Sequence, residues 1–226
     1  MSLSLRGTLN RDIDAFVLAG GRSSRMGQDK ALVPLRGQPL VEHGLGILRD
    51  AGTQPRIAGG GQSFASFAPV IDDEPSEAGG GPLSGICSAL NQSTASYGLF
   101  LPVDMPLVPA GLITCLIEHA AITQSAITLM SVAGFIETSP VIVNRSAAPV
   151  LLGSLQSGDR KCLKAFQMAA EQAKEPISVV PVELLLQAGR IGRSGSLLPA
   201  HWFLNVNTPQ NLELAEALLT SRDQVS

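Results

Sequence analysis

Lys30, Arg25, Asp73 and Asp104 are the charged side chains whose placement could do chemistry, and each follows an apolar run or a glycine-rich break. The densest case is the stretch from Val17 to Lys30, Val-Leu-Ala-Gly-Gly-Arg-Ser-Ser-Arg-Met-Gly-Gln-Asp-Lys. Glycines directly after a strand let backbone N–H groups approach an anion with no Cβ in the way. Arg25 can grip paired phosphate oxygens, and Lys30 supplies a compact point charge. The combination fits a polyphosphate. It is not a Walker A loop, because Gly27 is followed by Gln28-Asp29-Lys30 rather than by Lys-Ser/Thr at the required spacing. Nor does Gly20-Gly21 have the G-x-G-x-x-G spacing of dinucleotide folds.

Two carboxylate positions complement the loop. Asp72-Asp73-Glu74 follows the apolar Pro69-Val70-Ile71, and Asp104 lies between Pro102 and Pro106 at the end of a strongly apolar run from Tyr97 to Leu101. A lone carboxylate at a strand end suits Mg²⁺, which prefers one or two carboxylates plus substrate phosphates. A solvated acidic turn at Asp72–Glu74 and a helix-capping role for Asp104 remain open on these residues alone.

The elements that must hold these groups are legible in outline. Ala15–Leu18, Gln54–Ala58, Pro69–Ile71, Tyr97–Leu101, Ala126–Val132, Val141–Asn144, Ile177–Val182 and Trp202–Leu204 read as strands. Between them, helical patterns begin at Pro39, Pro82, Pro109, Ala147, Gly158 and Glu183, and Thr208-Pro209 caps a last one. Gly44 and Gly46 inside the first helix suggest close packing on the sheet. The glycines at 79–81 leave N–H groups free before the Pro82 helix. His43 and His119 read as helix-surface residues, His119 favourably near a helix C-terminus. Gly189–Pro199, with Arg190 and Arg193, reads as a surface loop with a weak anion signal.

Strands alternating with amphipathic helices predict an α/β fold with a doubly wound, mainly parallel sheet. In such a sheet the strand carboxyl ends share one edge, so the glycine loop, Asp73, Asp104 and Asn205–Asn207 can meet in one crevice.

Composition narrows the class. The chain has 226 residues, 45% hydrophobic and 15% charged, which suits a single domain over residues 1–226. A net charge of −3 and 4% aromatics argue against nucleic-acid binding. No apolar run approaches the ~18–20 residues of a membrane span. The region from Met1 to Asp14 carries Arg6 and Arg11 without an apolar h-region, so it does not read as a signal peptide. Cys87, Cys115 and Cys162 form no CxxC pair and read as buried thiols of a cytoplasmic protein.

The motifs Leu18-Ala19-Gly20-Gly21, Arg25-Met26-Gly27 and Asp29-Lys30 together resemble the signature loop of the molybdenum cofactor guanylyltransferases, a Rossmann-like branch of the nucleotide-diphospho-sugar transferase-like fold. Val70-Ile71-Asp72-Asp73, Gly81-Pro82-Leu83-Ser84-Gly85, Pro102-Val103-Asp104-Met105-Pro106 and Asn205-Val206-Asn207-Thr208-Pro209 resemble further family motifs in the family's order. Gly158-Asp159-Arg160 with Leu163 and Phe166 resembles the segment facing the pterin.

The resemblance implies that Leu18, Ala19 and Gly20 surround the guanine of GTP, with Gly21 also on the nucleotide, that Lys30 contacts its phosphates, that Asp73 contacts GTP, and that Asp104 contacts GTP and Mg²⁺. Asn205 and Asn207 in place of acidic residues favour the guanylyl branch. Being neutral, they can line the acceptor side without repelling its phosphate. The implied reaction is GMP transfer from GTP to molybdopterin cofactor with release of pyrophosphate, with Arg25, Lys30 and Asp104 as catalytic residues. The alternatives are cytidylyl transfer to the same cofactor, a sugar-phosphate nucleotidyltransferase, and a non-catalytic nucleotide-binding, chaperone-like protein; molybdoenzymes or other cofactor-biosynthesis proteins are possible partners.

Three places depart from the family pattern: Ala58-Gly59-Gly60 where an asparagine is common, Ser139-Pro140 where His-Pro is common, and the loop from Gly189 to Pro199.

Overall fold

The computed structural model describes residues 12–20, 29–72, 81–192 and 197–223. Strand β1 (Ile13–Leu18) leads through a 3₁₀ turn (Lys30–Leu32) into a small hairpin, β2 (Pro34–Leu35) and β3 (Gln38–Pro39), and then helix α1 (Leu40–Asp50). β4 (Arg56–Ala58) and β5 (Val70–Ile71) precede α2 (Pro82–Gln92), β6 (Tyr97–Pro102) and α3 (Ala110–Thr123). There follow β7 (Ile127–Val132), β8 (Phe135–Asn144), α4 (Ala148–Gln156), α5 (Cys162–Ala173), β9 (Ser178–Pro181) and α6 (Val182–Gln187). A 3₁₀ turn (Pro199–Phe203) and α7 (Pro209–Asp223) close the order.

The principal sheet has seven strands in the order β5-β4-β1-β6-β8-β7-β9. Only β8 runs against its neighbours, pairing antiparallel with both β6 and β7; the other pairs are parallel. Side chains alternate across a strand, so each central strand feeds two cores. Ala15, Val17, Leu99 and Leu101 join the core under α1 and α3. Phe16, Leu18 and Phe100 join the core under α2, α4 and α5. Burial on both faces explains why β1 and β6 read as unbroken apolar runs rather than alternating ones. Phe16 and Phe100, both fully buried, stack with ring centroids 5.3 Å apart.

The glycines in α1 have different reasons. A Cβ at Gly44 would lie 3.2 Å from both Val17 methyl carbons, so its absence lets α1 press on β1. Gly46 faces open space, and close packing does not explain it.

Several expectations need correcting. Trp202–Leu204 is not a strand: Pro199–Phe203 forms a 3₁₀ turn that buries Trp202 completely. A short apolar run cannot distinguish a buried strand from a buried turn. β8 begins at Phe135 rather than Val141, because Ala133 and Gly134, both with positive φ, form the tight turn of a β7–β8 hairpin. α5 begins at Cys162 rather than Gly158; Asp159 Oδ1 instead accepts the Lys161 N–H at 3.2 Å, making a local turn.

His119 is half-buried rather than a surface residue, with Nε2 2.7 Å from Ser178 Oγ on β9. Desolvation holds its pKa below the ordinary 6.5, which opposes the charged form that a helix C-terminus would favour. Cys87 and Cys115 are buried, while Cys162 is half-buried, with its pKa raised by desolvation. No helix among the described residues is long and apolar enough to cross a membrane.

Two stability predictions follow from this packing. Gly98, on β6, sits where a Cβ would come within 2.7 Å of the Phe100 ring and 2.9 Å of Leu90. Gly98→Ala should cost about 1–3 kcal/mol in urea unfolding, as overpacked sites do. For His119, the folded pKa is depressed. As pH falls below 6.5 the unfolded chain therefore takes up the proton first, and stability declines until the folded pKa is passed. His119→Gln should flatten that decline, measured as the difference between urea midpoints at about pH 7.5 and about pH 5.5.

Candidate active site

The carboxyl ends of β1, β4 and β6 are tied together by backbone hydrogen bonds. The Ala19 N–H donates to the Ala58 carbonyl at 3.0 Å, the Gly59 N–H to Ile71 at 2.8 Å, and the Val103 N–H to Leu18 at 3.0 Å. Leu18 and Ala19 are buried at this edge, and Gly20 is exposed. The segment after the Trp202 turn returns to the same edge, where the Val206 N–H donates to the Asp104 carbonyl at 2.8 Å. Val206 itself is fully buried, which fixes Asn205 and Asn207 on the exposed side of the chain. Beyond them, Thr208 Oγ1 accepts the Asn211 N–H at 3.2 Å and caps α7 as the sequence indicated.

Lys30 opens its 3₁₀ turn directly after Asp29, whose Oδ1 accepts the Ala31 N–H at 3.1 Å. The turn aims the lysine inward. Its Nζ lies 2.6 Å from Asp104 Oδ2 and also donates to Asn207 Oδ1. The Lys30 and Asp104 side chains are only 18% and 15% exposed, so the pair is largely shielded from solvent. Residues 30, 104 and 207 are thus drawn from three separate stretches of chain onto one ammonium group.

Lys30, Asp104, Asn207, Leu18, Ala19 and Gly20 therefore gather at one edge of the sheet. Gly21, Arg25 and Asp73 lie outside the described residues, as do residues 79–80 and Arg193. The two asparagines separate. The Asn205 amide N–H donates to the Phe203 carbonyl at 3.2 Å, whereas Asn207 turns its oxygen to Lys30. Nothing in the residue types foretold that Asn207 would share a cation with Asp104, since the contact spans 177 positions.

Ala58-Gly59-Gly60 has a structural reason. Gly60 has φ +82°, and a Cβ there would lie 2.6 Å from the buried Phe64 ring. A side chain such as asparagine does not fit that place without displacing Phe64. In the next stretch, Asp72 Oδ2 accepts a hydrogen bond from the Gln62 amide at 2.7 Å. Arg190 pairs with Glu118 on α3 rather than reaching the strand edge. At the β7–β8 hairpin, burial raises the pKa of the Glu137 carboxyl.

Among the described residues no group of three or more His, Cys, Asp or Glu could cage a metal ion. Asp104 and Asn207 instead offer a carboxylate and an amide oxygen around a single cationic point. Such a partial set fits an ion that keeps water or substrate oxygens in its remaining positions, as Mg²⁺ does.

A family profile described as "MobA-like NTP transferase domain" matches residues 15–174. A molybdenum cofactor guanylyltransferase from Shewanella sediminis is 32% identical over 221 residues, covering 93% of this chain and 99% of that protein. The crystal structure of molybdopterin-guanine dinucleotide biosynthesis protein A from Archaeoglobus fulgidus superimposes with a TM-score of 0.73 at 23% identity, over 92% of this chain and 98% of that one. A protein of Mycobacterium tuberculosis H37Rv, solved in complex with manganese, shares the fold with a TM-score of 0.61 at 20% identity, over 91% and 98% of the two chains.

The shielded ion pair should be measurable in solution. A double-mutant cycle with Lys30→Met and Asp104→Asn should give a coupling energy of about 1.5–3 kcal/mol in denaturant unfolding, the range for hydrogen bonds to charged groups. A coupling near zero would mean that the two side chains do not meet.

Proposed function

The chain belongs to the MobA-like NTP transferase family, and we propose that it transfers GMP from GTP to the terminal phosphate of Mo-molybdopterin, forming the guanine dinucleotide cofactor and releasing pyrophosphate. The convergence of Lys30, Asp104 and Asn207 at the carboxyl edge of β1 and β6 carries this reading. The guanylyltransferase named above, similar over almost its whole length, supports the choice of nucleotide and acceptor.

The chemistry asks little of a base. The acceptor phosphate is already an anionic nucleophile at neutral pH, and the barrier lies in bringing two polyanions together. Positioning and charge neutralisation must supply most of the rate. Lys30 neutralises the triphosphate and then the departing pyrophosphate; Arg25, from the same loop, is assigned the same task. Leu18, Ala19 and Gly20 are assigned to the guanine, with Gly20 the exposed residue of the three, and Gly21, the next residue, is assigned to nucleotide binding. Asp73 binds nucleotide. Asp104 would hold Mg²⁺, and the ion would supply Lewis-acid activation of the α-phosphorus. A carboxylate and a facing amide oxygen, together with a manganese complex in a protein of the same fold, support that assignment. Asn205 and Asn207 keep the acceptor side free of negative charge.

We propose that residues 1–226 form one nucleotidyltransferase domain. Parallel pairing of β9 with β7 and the hydrogen bond from Val206 to Asp104 support this, because both reach past the end of the family match at residue 174. Three widely spaced cysteines with no CxxC pair, Cys87, Cys115 and Cys162, support placement in the cytoplasm. Proteins that deliver the pterin or receive the product would be its partners.

Pyrophosphate release should require GTP and the pterin acceptor together, with CTP and UTP failing to replace GTP. Equal turnover with CTP would overturn the guanylyl assignment. Nucleotide binding without magnesium-dependent pyrophosphate release would reduce the chain to a binding protein. Lys30→Ala should lose about 2–4 kcal/mol of transition-state stabilisation, read from kcat/KM. Asp104→Ala should abolish magnesium-dependent turnover while the circular dichroism spectrum stays unchanged.

A further inference from the structure

The Lys30 ammonium sits against Asp104 Oδ2 and Asn207 Oδ1 at once, in contact with both of the oxygens that could face a metal ion. We infer that Lys30 is an internal stand-in for the divalent ion: it fills the cation position between Asp104 and Asn207 until nucleotide phosphates draw it away, so that metal and nucleotide enter as a pair. This rests on the reading of the chain as a metal-dependent nucleotidyltransferase.

The physical case has three parts. Carboxylate and amide oxygens are hard ligands suited to Mg²⁺ or Mn²⁺. Here both are already oriented toward a positive charge, and by elements that meet independently of it, through the backbone bond from Val206 to Asp104. Next, a divalent ion arriving at these oxygens without nucleotide must displace the ammonium or lie against it. Like charges at contact distance repel strongly where solvent is partly excluded, and the pair is only 18% and 15% exposed. Finally, Lys30 carries its charge on a flexible four-carbon stem, whereas its backbone is fixed by the Asp29 turn. The charge can therefore move by several ångströms while the chain stays in place. A triphosphate offers it more negative charge than one carboxylate does. Once Lys30 has swung onto the phosphates, the vacated oxygens and the phosphate oxygens together complete a site for the ion.

The arrangement balances the Asp104 charge with the Lys30 ammonium. It also predicts an unusual sign: removing a cation from this cluster should improve metal binding by the free protein, while harming catalysis.

Mn²⁺ binding to nucleotide-free protein, followed by electron paramagnetic resonance, tests this. Lys30→Gln keeps a polar partner for Asp104 and Asn207 but removes the charge, and Lys30→Met removes both. Each should bind Mn²⁺ at least about tenfold more tightly than the unmutated chain, and Lys30→Arg should stay close to it. Adding Asp104→Asn to Lys30→Gln should abolish the gain. With a non-hydrolysable GTP analogue, the unmutated chain should bind Mn²⁺ as well.

If Lys30→Gln and Lys30→Met, folded by circular dichroism, bind free Mn²⁺ no better than the unmutated chain, the inference is overturned. If the GTP analogue still recruits Mn²⁺ to the unmutated chain in that case, the nucleotidyltransferase reading survives. If no form binds Mn²⁺ even with the analogue, that reading falls and takes this inference with it.

Discussion

One ammonium group organises this molecule's functional edge. Lys30 reaches Asp104, 74 positions away, and Asn207, 177 positions away, and the three side chains meet above the ends of the central strands. An ammonium withdrawn from water needs acceptors around it. The fold supplies one charged and one neutral oxygen. That choice matters for a reaction between polyanions. A second carboxylate would bind the cation more firmly, but it would add negative charge at the edge proposed to receive phosphates. An asparagine satisfies the hydrogen bond without adding negative charge.

The rest of the structure keeps those three groups in register. β1 and β6 are buried on both faces, so a shift of either strand by one residue would send Phe16, Phe100 and their neighbours into the wrong core. Their shared register in turn sets where the chain leaves β1 at Leu18 and where Asp104 follows β6. Val206 completes the frame. It is fully buried, and its N–H is committed to the Asp104 carbonyl, so the terminal segment cannot slide without breaking a core contact and a hydrogen bond together. Antiparallel β8 lies next to β6 and carries the sheet on to β7 and β9.

Much of this was legible in the sequence because it is local. The apolar run before Gly20 marks β1. Prolines bracket Asp104, and Thr208-Pro209 announces α7. The family motifs stand in order along the chain, and the family assignment followed from them. What stayed hidden depends on partners far away in sequence. The reversal of β8 needs a turn at Ala133-Gly134, where only the glycine is an obvious signal. His119 looked like a surface residue until β9 placed Ser178 against it. Trp202 lies in an apolar stretch whose turn geometry is set by burial rather than by periodicity. Asn207 was expected on the acceptor side, and only the folded chain turns its oxygen toward Lys30.

The central claim is that Lys30 and Asp104 serve one bound nucleotide. The most direct test is a crystal structure grown with Mn²⁺ and a non-hydrolysable GTP analogue, with the metal located by anomalous scattering. A single strong peak is expected at coordination distance from the Asp104 carboxylate and the phosphates, with the Lys30 ammonium hydrogen-bonded to phosphate oxygens. A triphosphate bound away from the β1 and β6 ends, or a metal with no contact to Asp104, would contradict it.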